Sequence, residues 1–203
     1  MMIRSWMCAF AALAASAGPL GQPAQAQPPA DTQTSAEDEV FCVYDGLLGL
    51  TRKDLLNITS AFVTEATEGE LFDAVEPLLS GAAQTCIDQY AWNMDQADAA
   101  LTIGLASVVS SILEEWFLEE EGLPQETVDT VVDLLSTLPE DAFVTFLTTD
   151  WRRNQDFVGQ MEERLQAAGL EDDPELMIRG MTLLEAYLLG MSRFEEWPSL
   201  ADG

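Results

Sequence analysis

From Ala99 to Leu113 the chain reads AALTIGLASVVSSIL, fifteen residues without a single charge. A segment apolar all round its axis needs burial on every side, which places it at the centre of a helical protein. Fifteen residues fall short of the hydrocarbon span of a bilayer, and no Lys or Arg flanks the run, so a transmembrane helix in the mature chain is not expected. Ala100, Gly104, Ser107 and Ser111 form one stripe of small side chains along it, where a neighbouring helix can approach closely. The expectation is an all-α, single-domain bundle of six to eight helices over residues 37–203, packed around a buried central helix at about 96–120.

The rest of the chain agrees with that class. Runs with period-two alternation are missing, and the hairpin dipeptide Asp-Gly falls between runs only in YDGLL, without flanking strands. Helices are punctuated instead. Ser35 with Asp38 resembles a capping box opening EDEVFCVYDGLLG. RKDLLNITSAFVTEAT runs toward Gly69, and ELFDAVEPLL is broken or bent at Pro77, before AAQTCIDQYAWN. Asn93 or Asp95 caps the central helix, and Gly122-Leu123-Pro124 closes it. PQETVDTVVDLLSTL and PEDAFVTFLTTDW each start near a proline. NQDFVGQMEERLQAAG ends at Gly169, and EDDPE caps a final helix running to Trp197.

Ahead of these helices stand MMIR, the apolar SWMCAFAALAASAG and the small-x-small AQA, the pattern of a secretory signal peptide over residues 1–26. Residues 27–36, QPPADTQTSA, read as a flexible leader. The expected location is therefore outside the cytoplasm, periplasmic or secreted. Cleavage leaves Cys42 and Cys86 as the only cysteines, and in an oxidising compartment an isolated pair is expected to form a disulfide. Cleavage also removes Arg4, leaving 7 basic residues against 36 acidic ones, a net charge of −29. Such a chain repels nucleic acid and anionic lipid, and a protein partner would have to be basic or apolar.

Composition removes most catalytic tools. There is no histidine and one lysine, Lys53. Ser-His and Cys-His nucleophiles, His-ligated zinc and the Glu-x-x-His di-iron pattern are excluded. No phosphate-cradling glycine loop and no EF-hand loop occurs, so no cofactor is expected. A hydrolase using carboxylates alone needs only two acids at the right separation. In a chain with 36 acids, such a pair is uninformative.

Two groups of residues stand out within that frame. In ILEEWFLEEEG, Glu114, Glu115, Glu119, Glu120 and Glu121 crowd the end of the central run. At about 100° per residue they point all round the axis, so a solvated helix end is expected. Their opposition to the helix macrodipole leaves room for a loosely held Ca²⁺ or a basic partner. On the last helix, Met177, Met181 and Met191 share a face, a candidate groove for an apolar ligand, although such a stripe also suits a core. Glu185 lies at the edge of that face, where burial would raise its pKa, and the readings are a general acid, a hydrogen bond across a helix seam or a pair with an arginine. The leading expectation for function is a non-catalytic binding or structural module of the bacterial cell envelope. The alternatives are a carrier of a small apolar ligand held between the central and last helices, and a carboxylate-only hydrolase.

Overall fold

The computed structural model describes residues 36–148 and 150–201. Among the described residues there are nine α-helices, two short 3₁₀ turns and no strand, one helix more than the upper count expected. The expected signal peptide and nearly all of the expected leader, with the Ser35 cap, lie outside the described residues.

The opening segment is two helices, α1 (Ala36–Val40) and α2 (Cys42–Leu48), separated by a turn at Phe41. α3 (Arg52–Val63) is capped by Thr51, whose hydroxyl oxygen accepts the Asp54 N–H at 3.3 Å. It does not reach Gly69. Glu65 adopts a left-handed conformation, φ 51°, and the Ala66 N–H reaches back to the Ala61 carbonyl at 2.9 Å. That is a Schellman-type ending with a glutamate where glycine is usual, so the sequence gives no stop signal there.

The two segments on either side of Pro77 are one continuous helix, α4 (Glu70–Tyr90). Proline removes one backbone N–H and frees the carbonyl four residues back. Here both Pro77 and Asp73 face solvent, while Val75 and Leu79 beside them are buried. The gap in the backbone ladder therefore lies on the wet side of the helix, and the buried face holds it together.

α5 (Met94–Glu119) is the axis of the molecule. A complete capping box starts it: the Asn93 side chain accepts the Gln96 N–H at 2.9 Å, and the Gln96 side chain accepts the Asn93 N–H at 3.1 Å. It is the one described helix long and apolar enough to cross a membrane, yet 56% of its apolar window is buried inside the protein. α2, α3, α4 and α9 all pack on it. Gly122, φ 66°, closes it.

α6 (Gln125–Asp133) tightens into a 3₁₀ turn at Leu134–Thr137, and α7 (Glu140–Thr148) is followed by another at Trp151–Arg153. α8 (Gln155–Ala167) starts from an Asn154 cap and ends at left-handed Gly169. α9 (Pro174–Ala201) opens with the Asp173 carboxylate accepting the Glu175 and Leu176 N–H groups, then runs past Pro198.

The core has two lobes along α5. One gathers Val43, Leu47, Ile58, Val75, Leu79 and Ile103. The other gathers Phe117, Phe146, Trp151, Met161, Leu165 and Leu183. Cys42 and Cys86 form a disulfide, Cα–Cα 6.0 Å, which ties α2 to α4 inside the first lobe.

Candidate functional site

Small side chains on α5 decide where helices touch and where they part. At Gly104 a β-carbon would meet the Tyr44 backbone nitrogen and Val43 Cγ1 at 2.9 Å each, so α2 lies directly on the α5 backbone there. At Gly190 a β-carbon would meet Ala106 Cβ at 3.3 Å, so α9 also crosses closely. Between these contacts, Ser107, Ser110 and Ser111 are too short to fill the gap. A groove of about 340 Å³ results, bounded by α5, α9 and the Phe41–Tyr44 segment.

Its walls are apolar. Phe41 stacks on Phe194 with ring centroids 5.8 Å apart. Met191 is 50% exposed and Phe194 44% exposed, which is high for such large apolar side chains. Its polar groups are hydroxyls. Ser107 donates to the Ile103 carbonyl at 2.8 Å, while Ser110 and Ser111 both donate to the Ser107 carbonyl, at 3.1 and 2.8 Å. Tyr187 donates to the Glu114 carboxylate. Burial, and then that neighbouring carboxylate, hold the Tyr187 hydroxyl protonated well above the ordinary phenol range.

A second polar cluster lies in the other lobe. Arg152 donates to Glu65 at 2.7 Å, to Glu185 at 3.2 Å and to Thr182 at 3.3 Å, with its guanidinium 4.1 Å from the centre of the Trp151 ring. The Arg152 and Glu185 side chains are only 16% and 12% exposed. Burial pushes the Glu185 carboxyl up, and the Arg152 guanidinium pulls it back only in part, helped by the nearby Trp151 N–H. Arg152 Nε and Trp151 Nε1 are buried without a partner of good hydrogen-bond geometry. Sequence reasoning placed Glu185 at a helix seam but did not find Arg152 or Glu65, which stand 33 and 87 residues from their partners.

Of the methionines expected on one groove, only Met191 lines it. Met177 and Met181 are 1% and 0% exposed inside the second lobe. They share a helix face with Met191, but at 1.5 Å per residue Met191 stands about 21 Å beyond Met177 and about 15 Å beyond Met181 along α9. There the facing stretch of α5 carries serines instead of bulky apolar side chains. Phe41, Tyr44, Tyr187 and Phe194 were missed because they become neighbours only when α2 and α9 meet on α5.

The glutamates of ILEEWFLEEEG are divided among separate partners. Glu114 accepts from Tyr187, Glu115 pairs with Arg52, and Glu119, Glu120 and Glu121 face solvent. Among the described residues no three metal-ligating side chains converge. Comparison with known proteins finds no matching family model, no similar curated protein and no similar solved structure.

Proposed function

We propose that this protein is an exported, non-catalytic binding module that holds a small apolar ligand between α5 and α9. The groove carries the reading. A concavity of about 340 Å³ falls within the range of small-molecule sites. Exposed Met191 and Phe194 leave apolar surface that a ligand would remove from water. The amino-terminal signal pattern favours export, and the Cys42–Cys86 disulfide suits an oxidising compartment. The two carboxylic acids that burial raises, Glu185 and Asp98, are held against Arg152 and Arg193, and neither lines the groove. That arrangement favours binding over carboxylate catalysis.

Native mass spectrometry of the protein purified from its own host tests this reading. The expected spectrum shows a mass above that of the disulfide-bonded polypeptide, lost on extraction with organic solvent. A bare polypeptide mass, with no thermal shift across a panel of apolar compounds of either charge, would overturn it.

A further inference from the structure

We propose that the groove between α5 and α9 selects apolar molecules bearing a positively charged donor group, amphiphilic amines, over fatty acids and other apolar anions. The inference rests on reading the groove as a ligand site and adds the class of ligand.

Hydrogen-bond polarity is the first reason. The protons of Ser107, Ser110 and Ser111 are committed to α5 carbonyls, and that of Tyr187 to Glu114. A hydroxyl that has given its one proton offers only lone pairs. Tyr44 alone among the described lining hydroxyls has no such partner. A ligand head group therefore meets mainly acceptors, which suit an N–H donor and give a carboxylate little to bind.

Charge is the second reason. Among the described residues no basic side chain lines the groove, and Arg193, next to Phe194 in the chain, is engaged, as are Arg52 and Arg179. Arg193 pairs with Asp98 and Glu196, Arg52 with Glu115, and Arg179 with Glu175 while lying 4.0 Å over the Trp116 ring. Glu114 follows Ser110 and Ser111 by one helical turn, adding negative charge at that end. The chain as a whole has a formal net charge of −28, which repels anions at long range.

The aromatic walls are the third. Phe41, Tyr44, Tyr187 and Phe194 line the groove, and aromatic π systems attract cations where they give anions little.

Calorimetric titration of the disulfide-bonded protein with decylammonium, decanoate and decanol, at physiological ionic strength, tests the proposal. The expected result is decylammonium binding at least about tenfold tighter than decanoate, the ratio that roughly 1.4 kcal/mol of charge and cation–π preference produces. Ser111→Trp, which places a ring over the exposed rim, is expected to abolish decylammonium binding while leaving the melting curve in place. Phe194→Ala is expected to weaken it. Equal or tighter binding of decanoate overturns the selectivity and leaves the groove reading standing. Decylammonium binding that both variants leave unchanged is attraction to the acidic surface at large, and overturns the proposal. Absence of binding by all three compounds overturns the proposal together with the reading beneath it.

Discussion

The two lobes of this bundle hold their helices against the same central helix by different means. In the first lobe, α2 approaches so closely at Gly104 that there is no room for a β-carbon, and the buried residues include Ala61, Ala83, Ala97, Ala99 and Ala100. Little side-chain volume fills that contact, and a disulfide locks α2 to α4 beside it. The second lobe has no covalent tie among its described residues. It is built from bulk: Phe146 packs edge-on against both Trp151 and Phe157, and Met161, Met177 and Met181 fill what remains. Arg152 then bonds to Glu65, just past α3, and to Glu185 on α9. Close backbone approach tolerates no added atom, whereas a core of large rings tolerates no removed one. The groove draws its lining from both lobes, where small residues between α5 and α9 leave space that rings would have filled.

Trp151→Ala should be the most damaging single change. The ring is fully buried and carries the Arg152 guanidinium on its face, so a loss near the top of the roughly 3–5 kcal/mol range for such truncations is expected in urea denaturation. Hydrogen exchange should show protection falling first in α6–α9.

Replacing Cys42 and Cys86 with alanine should cost somewhat less, about 4 kcal/mol by chain entropy for the loop they close. Protection should fall first in α2–α4. Equal losses across both lobes in either variant would show one cooperative unit and break the comparison.

Adding a single methyl group probes close approach directly. Gly104→Ala removes a poor helix former, yet its β-carbon meets α2 backbone at 2.9 Å. A net loss of about 1–3 kcal/mol is expected, as for overpacked cores. A neutral or stabilising Gly104→Ala would show that α2 can move aside.

The second lobe's buried ion pair gives a pH signature. The Glu185 carboxyl is raised in the folded protein, so the native state binds its proton more tightly than the unfolded chain does. Its favourable contribution is full below the unfolded carboxyl pKa and is lost as pH rises through the higher folded value. Glu185→Gln should flatten the fall in stability with pH across that window, measured by denaturation at fixed salt. A variant with the parent's slope would show that other acids account for the trend.

The smallest expected effect is a gain. Gly81 sits inside α4 with open space beside it, and a β-carbon there would meet nothing within 4 Å. Gly81→Ala should therefore stabilise by about 0.5–1 kcal/mol through helix propensity alone, read from the same urea titration. Opposite signs at Gly81 and Gly104, in the same lobe, would isolate packing from propensity.

Legibility followed the range of each interaction. A cap at Asn93 or Asp95 opening α5, the Gly122 and Gly169 endings and an acidic cap within EDDPE were readable because each is settled within a few residues. The halt of α3 at Glu65 was not, because a glutamate takes the left-handed turn and its side chain is tied to Arg152, far along the chain. The continuity of α4 through Pro77 was likewise hidden, since it depends on which side of the helix meets water. Of the candidate groove, Met191 was visible, while Ser107 and Ser111 were read as a helix contact and the aromatic walls were missed.

By itself the sequence determined the all-α class, the central place of Ala99–Leu113 and the pairing of Cys42 with Cys86. Each follows from a property carried locally or from simple counting: hydrophobic periodicity, an uncharged run, and two cysteines beyond the amino-terminal apolar segment. Only the tertiary structure decided which small residues became contacts and which became a gap. Gly104 and Ser107 lie on one stripe, and they differ in function because α2 crosses over the first and α9 does not close over the second. Crossing positions depend on how every helix packs at once, and no short stretch of the chain contains that information.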